Sequence, residues 1–315
     1  MKLLLIAVCL LAAPAFSQDF PSKPVRIVVP WPPSGNVDIT ARTVQPALGE
    51  ALGQQVIVEN RAGAAGVIGT SAVAKSPADG YTLLLGSSGT ITAGPAVFKN
   101  APYDPVRDFV PVGGIQSVPI VLTAAPKTPA ATWNEFLSLA KTKQVSIASA
   151  GSGSSNHLAI ELLMRMANLN LLHVPYKGAG PAITDLLGSQ VESMMDQLTA
   201  SIGHIREGRI KAIAISSQKR SPLLPNVPTL DELGVKGYEA STFTGLFAPA
   251  GTPPAVVEKI HGGLRKALAA ASVKERFQGM GVEIIEMGQA EFASYVRTDF
   301  DKWRKVAREG NIVVE

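Results

Sequence analysis

The 315 residues are 46% hydrophobic and 17% charged, with 29 Lys and Arg against 25 Asp and Glu, a formal charge of +4. The basic residues are scattered and often stand beside acids, as in Asp299-Phe300-Asp301-Lys302-Trp303-Arg304-Lys305, which describes a solvated helical face and excludes a nucleic-acid-binding stripe. The single cysteine, Cys9, falls in the N-terminal segment, so the rest of the chain is excluded from disulfide and thiolate chemistry and must draw its stability from core burial.

Lys2 is followed by an apolar run, Leu3 to Ala13, that is too short to span a bilayer. Pro14 then breaks the run, and Ala15-Phe16-Ser17 offers small residues where a signal peptidase reads them. Residues 1–17 are therefore predicted to be a signal peptide, cleaved before Gln18, with the periplasm as destination; a membrane anchor is the rival reading. The residues ahead of Cys9, Ile6-Ala7-Val8, make a poor lipoprotein box. What remains is too long for one ordinary core and about right for two domains. No later segment reaches 18 apolar residues.

Short apolar, β-branched runs follow in order at 25–29, 56–58, 81–85, 120–123, 145–148, 171–174 and 209–215. Helical spacing fills most of the gaps, beginning with 36–52, where Ile39, Val44, Ala47, Leu48 and Leu52 fall on one side. This alternation predicts an α/β fold with mostly parallel sheets flanked by helices. Two amphipathic helical stripes close the chain, over 253–276 and 292–307. Proline and glycine clusters at 101–105 and 221–228 mark passages between two lobes, the middle of the chain forming one and both ends sharing the other. The predicted division is 18–121 with 228–315 as lobe 1, and 122–227 as lobe 2.

Three loops rich in glycine, serine and proline follow predicted strands: Pro30-Trp31-Pro32-Pro33-Ser34-Gly35, Gly86-Ser87-Ser88-Gly89-Thr90, and Ser149-Ala150-Gly151-Ser152-Gly153-Ser154-Ser155. In open α/β sheets the ligand crevice lies beyond the carboxyl ends of the strands, so these loops are candidate walls of one site. Ser34-Gly35-Asn36, Ser154-Ser155-Asn156-His157 and Gly178-Ala179-Gly180-Pro181 each open a helix, and free N–H groups with hydroxyls suit a carboxylate. Ordinary capping explains any one of them; three in one chain point to an anion site. None of these loops contains arginine, so dipoles, hydroxyls and water would hold the anion.

Catalytic signatures are missing: no G-x-S-x-G, H-E-x-x-H, P-loop or G-x-G-x-x-G motif occurs. His157, His173, His204 and His261 are too far apart to suggest a metal cluster by spacing. Neither a cofactor nor a metal is expected. Ser154, Ser155 and His157 stand close enough to raise a hydrolase reading with Ser155 as nucleophile and His157 as base, but neighbours at a helix start cannot readily turn onto one reacting atom.

The chain resembles the Bug-type periplasmic solute receptors of the tripartite tricarboxylate transporter systems. The marks are Pro30-Trp31-Pro32-Pro33-Ser34-Gly35-Asn36-Val37-Asp38 followed by Ala41-Arg42; Val58-Glu59-Asn60-Arg61-Ala62-Gly63; Pro77-Ala78-Asp79-Gly80-Tyr81-Thr82; Pro102-Tyr103-Asp104-Pro105; His173-Val174-Pro175-Tyr176-Lys177-Gly178; and Gly245-Leu246-Phe247-Ala248-Pro249-Ala250-Gly251-Thr252-Pro253. The resemblance implies a type II periplasmic binding fold, two lobes joined by two crossings and closing by hinge motion. It implies a carboxylate held in the first lobe between Trp31, Ser34, Gly35, Asn36 and Asp38 on one loop and Ser87, Ser88 and Thr90 on the other. Ser154, Ser155 and His157 would come from the second lobe, with Asp196, Thr242 and Phe243 at the cleft. A two-subunit membrane permease is the implied partner of a monomeric, non-catalytic receptor; a ligand sensor docking on a receptor kinase is the alternative. The chain departs from its relatives with Ser34-Gly35 in place of Gly-Gly and Met195-Asp196-Gln197 in place of Phe-Asp-Asn. Asp196 could receive an ammonium group or cap the helix that follows.

Overall fold

A computed structural model describes residues 20–314; the predicted signal peptide lies outside the described residues. The order begins β1 (Val25–Val29), α1 (Asn36–Leu52), β2 (Val56–Asn60), α2 (Val67–Ala74), β3 (Thr82–Ser87), a π-helical turn over Ser88–Ala93, α3 (Gly94–Val97) and β4 (Phe109–Val118). It continues β5 (Ile120–Ala124), α4 (Trp133–Thr142), β6 (Ser146–Ser149), α5 (Ser155–Ala167), β7 (Leu172–Pro175), α6 (Ala179–Leu187), β8 (Ser193–Gln197), α7 (Leu198–Arg206) and β9 (Lys211–Ile215). The chain closes with β10 (Thr242–Pro249), α8 (Pro254–Ala269), α9 (Ala271–Gly279), β11 (Glu283–Ile284) and α10 (Gln289–Glu309).

Two sheets result, ordered β11-β4-β10-β3-β1-β2 and β7-β6-β8-β5-β9. Among the named strands, parallel pairing is confined to β2-β1-β3 and β7-β6-β8. β10 runs antiparallel to both β3 and β4, and β5 antiparallel to both β8 and β9, so each sheet is mixed. The antiparallel share exceeds what simple strand–helix alternation predicts, because β10 returns into the first sheet after the whole second sheet has been built.

Each sheet is covered on both faces, which is why the inner strands β1, β3, β5 and β8 are buried along almost their whole length. Val25, Ile27 and Val29 of β1 face Val44 and Leu48 of α1 and Leu264 of α8, while Val28 between them points to the opposite cluster with Phe247 and Phe292. In the second sheet, Ile120, Leu122 and Ile147 pack with Phe136, Leu158 and Leu163, and Ala148 and Met194 pack with Ile183 and Leu186 of α6. The chain passes between the sheets at Pro119, and again between β9 and β10. Ser216 ties the two passages: its Oγ accepts from the Ile120 amide at 2.8 Å, its amide donates to the Ile120 carbonyl at 2.9 Å, and its carbonyl accepts from Ala240 at 3.2 Å. The end of α10 reaches the second sheet, where Trp303, Val306 and Ala307 are buried in the same cluster as Ile120 and Leu158.

The closing stripe predicted over 253–276 is two helices, because Ala270 at φ −63°, ψ 134° is extended and breaks α8 from α9. The strands β4, β8 and β10 carry glycine, proline or methionine where β-branched residues would have announced them; β4 alone holds Pro111, Gly113 and Gly114, with bulges in its pairing to β10. Phe292 is fully buried against Phe243 and Phe247, at ring-centroid distances of 5.8 and 5.5 Å. Phe292→Ala is expected to cost about 3–5 kcal/mol, read as a lowered urea midpoint with an unchanged far-ultraviolet circular dichroism spectrum at zero denaturant.

Candidate functional site

The carboxyl ends of β1, β3 and β6 all point to the seam between the sheets, and a small pocket with a cavity volume of about 40 Å³ lies there. Its walls include Trp31, Gly35, Asn36, Ser87, Ser155 and Thr242 from the predicted set, together with Val37, Asn156, Ala179 and Gln197. Three helices begin on it: α1 at Asn36, α5 at Ser155 and α6 at Ala179. Neither Gly35 before α1 nor Gly178 before α6 provides a side-chain cap. The first N–H groups of these helices are therefore left for water or a ligand. No charged side chain lines the pocket among the described residues.

The polar side chains at the walls are held from behind. Gln116 Nε2 donates to Asn36 Oδ1 at 2.9 Å, leaving the Asn36 amide nitrogen as a donor, while the buried Gln116 Oε1 has no partner. Trp31 Nε1 donates to Ser87 Oγ at 3.3 Å, fixing the indole across the cleft mouth. Gln197 Nε2 reaches Ser155 Oγ at 3.4 Å and Asn156 Oδ1 at 3.2 Å, and Asn156 Nδ2 donates to the Met195 carbonyl at 2.9 Å. The two walls also touch. A methyl group at Gly178 would lie 2.7 Å from Pro32 Cγ, and one at Gly89 would lie 3.1 Å from Trp31 Cζ2 and 3.5 Å from the Ser155 nitrogen.

The other predicted residues stand behind these walls. Asp38 is buried and accepts from the Ser34 amide (2.9 Å), Arg42 Nε (3.0 Å) and Asn60 Nδ2 (2.9 Å). Burial pushes its carboxyl up, but hydrogen bonds from Arg42, Ser34 and Asn60, with the guanidinium charge, outweigh this and hold it below its ordinary value. Ser34 itself takes φ 69°, a left-handed conformation that favours glycine, and its amide donates to Asp38, which offsets the strain. Ser88 Oγ accepts from the Phe243 amide at 2.9 Å, and Phe243 is buried edge-on against Phe292 and Tyr295. Thr90 Oγ1 accepts from the Ser87 amide at 3.1 Å.

Ser154 caps α5, its Oγ accepting from the His157 amide at 3.2 Å and donating to the Gly151 carbonyl at 2.7 Å. His157 Nδ1 accepts from the Gly153 amide at 3.1 Å, and Nε2 lies 3.3 Å from Glu161. Both ring nitrogens are thus engaged away from Ser155, so the geometry does not assemble Ser155 and His157 as nucleophile and base. The ring stacks on His173 at 4.2 Å; burial, and next the neighbouring His157, push His173 down to about 4, against a smaller pull from Glu161. Of the triplet 195–197, it is Gln197 that lines the pocket, while Asp196 is fully buried and accepts from Ser201 Oγ at 3.2 Å and Asn156 Nδ2 at 3.4 Å. Asn156 and Gln197 could have been read as site residues from the departures at Met195-Asp196-Gln197 and from the helix start, but the choice among neighbours depends on strand pleat, which puts alternate side chains on opposite faces.

Comparison with known proteins agrees with this architecture. The description of the tripartite tricarboxylate transporter family receptor matches residues 40–312. The chain is 37% identical over 307 residues to Protein BugT of Bordetella pertussis, covering 96% of this chain and 94% of that one. Among solved structures, the periplasmic binding protein BugD superposes with a TM-score of 0.90 at 36% identity, over 94% of this chain and all of the other. Two proteins of Rhodopseudomonas palustris are also similar: Rpa4515 with adipate (TM-score 0.90, 33% identity, 94% of this chain and 99% of that one) and MatC with bound malate (0.87, 34%, 91% and 99%).

Asp196 gives a test of the buried network. Burial first of all raises its carboxyl to about 7, against lowering hydrogen bonds from Gln197, Ser201 and Asn156. The folded chain therefore holds a proton there that the unfolded chain releases above its ordinary value of 3.8. Stability from this group is full below that value and is lost as pH rises toward about 7. Asp196→Asn removes the titration, so between these limits the variant should gain on the wild type by on the order of a few kcal/mol. Urea denaturation of both across that range checks this; parallel stability curves would contradict it.

Proposed function

This chain belongs to the tripartite tricarboxylate transporter receptor family, and we propose that it captures a small carboxylate in the pocket between its sheets and delivers it to a two-subunit membrane permease. Its fold is that of periplasmic solute-binding proteins rather than of a known enzyme class. The observation that carries the reading is the convergence of three helix starts on a pocket lined without charged side chains. Such an arrangement offers N–H dipoles to an anion and no carboxylate to a cation. The adipate and malate bound by two similar proteins support a carboxylate as cargo.

In this reading one carboxylate oxygen faces the Asn36 amide and the start of α1, and the other faces Ser155 and Asn156 at the start of α5. Thr242 and Ser87 add hydroxyls, and Trp31 with Pro32 closes the mouth. The first sheet with its helices would move as one lobe and the second sheet with its helices as the other, so the predicted boundaries at 121 and 227 move to Pro119 and to the stretch between β9 and β10, where the passages are joined at Ser216. Export and removal of residues 1–17 would place the receptor in the periplasm. Closure would exclude water and strengthen every dipole that meets the anion, with no bond made or broken.

Calorimetric titration against mono-, di- and tricarboxylates, aromatic acids and amino acids tests the reading, and failure of all of them to bind would remove it. Asn36→Ala and Ser155→Ala are each expected to weaken binding about 10- to 150-fold, the worth of one hydrogen bond to a charged group. Because no basic side chain lines the pocket, affinity for a monocarboxylate should change less than about twofold between about 50 and about 250 mM salt. A loss of about tenfold over that range would show that a cation holds the anion.

A further inference from the structure

The donor that the pocket offers at Asn36 is set by a residue outside the pocket. Gln116 stands on β4, opposite Thr244 of β10 and Ile284 of β11, fully buried and behind the wall that Asn36 forms. Its Nε2 meets three oxygens: Asn36 Oδ1 at 2.9 Å, Thr40 Oγ1, and Thr244 Oγ1 at 3.4 Å. Its buried Oε1 has no partner among the described residues.

A side-chain amide can be turned over, exchanging donor for acceptor, so something must fix which way Gln116 points. Thr40 does so. Its one hydroxyl hydrogen goes back to the Asn36 carbonyl, a turn earlier in α1, at 2.7 Å. Toward Gln116 the Thr40 oxygen can then only accept, and Gln116 must present its nitrogen. The two hydrogens of that nitrogen serve Thr40 Oγ1 and Asn36 Oδ1, the nearer pair of oxygens. Turning Gln116 over would cost the Thr40 bond to α1 and leave two buried N–H groups without acceptors in place of one unpaired carbonyl.

The same direction passes on to the pocket. With Oδ1 of Asn36 taken up as an acceptor, Nδ2 is the group left to the pocket that Asn36 lines. The bonds run from the Asn36 carbonyl through Thr40 and Gln116 back to the Asn36 side chain, so the first turn of α1 sets the polarity of its own first residue. An Asn36 without this hold would present its oxygen as readily as its nitrogen, and that oxygen would repel an anion.

We propose that Gln116 is a positioning residue of the pocket: by holding Asn36 as a donor, it makes the pocket select a group that only accepts hydrogen bonds, a deprotonated carboxylate, without touching that group itself. This rests on the reading of the pocket as the carboxylate site.

The test is calorimetric titration of the whole chain with the tightest binder among acetate, succinate, malate, adipate, citrate and benzoate, the fold of each variant being checked by its urea midpoint. Gln116→Met, similar in shape and without hydrogen bonds, should weaken binding about three- to tenfold, the net worth of one neutral hydrogen bond, yet by less than about twofold where Asn36 is already alanine. Thr40→Val should weaken binding by about threefold or more, while Thr40→Ser, which keeps the hydroxyl, should stay within about twofold of the wild type. Equal weakening by Gln116→Met with and without Asn36→Ala would overturn the proposal in favour of a purely structural Gln116, and unchanged binding in Gln116→Met would overturn it outright. If Gln116→Met does not fold, the Thr40 variants decide alone, and equal affinities of the valine and serine variants would overturn the relay. Failure of every acid to bind the wild type would instead remove the pocket as a carboxylate site.

Discussion

The pocket depends on a constraint of the peptide backbone: the first N–H groups of a helix have no partner within the helix and must find one outside. Here three helices from two sheets begin on one small volume, and two of them lack a capping side chain. Their dipoles are fixed by the packing of α1 on the first sheet and of α5 and α6 on the second, so no reorganisation is needed when an anion arrives. Glycine at Gly35 and Gly178 matters for the same reason: a side chain there would compete for the N–H groups or, at Gly178, collide with Pro32.

An anion site surrounded by dipoles works only if neighbouring acids do not oppose it. The two acids placed nearest in sequence to the site loops are disarmed in different ways. Asp38, in the first turn of α1, is neutralised by Arg42 and held by the Ser34 and Asn60 donors. Asp196, behind Asn156, is so deeply buried that its proton is retained up to about 7. Each also serves the walls: Asp38 holds the Ser34 turn, and Asp196 accepts from the Asn156 amide beside Gln197. A third buried acid, Asp299, is raised by burial to about 6 and bonded to Thr92 at 2.5 Å, where α10 crosses the turn that follows β3.

Much of the site was legible because its signals are local. A strand followed by a glycine- and serine-rich turn and then an apolar helical stripe needs only a dozen residues to be seen, and Trp31, Gly35, Asn36, Ser87 and Ser155 were found in that way. Thr242 came from the family resemblance and also lies on the wall. Ser88, Thr90, Ser154, His157 and Phe243 occupy the same loops and strand yet bind their own backbone neighbours or core rings, since only one face of a turn can look into a cavity. Strands β4, β8 and β10 were silent because burial on both faces removes the alternation, and because Pro111, Gly113 and Gly114 in β4, Met194 and Met195 in β8 and Gly245 in β10 interrupt any β-branched run.

By itself the sequence determined the α/β class, the positions of the helix starts, the absence of cysteine chemistry beyond Cys9 and the family to which the chain belongs, all of them properties of short segments or of their order. Only the tertiary structure decided that three helix starts share one pocket and that Gln197 rather than Asp196 lines it. Those facts depend on pairing between residues far apart in the chain, as between Ser88 and Phe243, 155 positions apart. Such pairing is set by sheet order and strand pleat, which no local pattern of residues encodes.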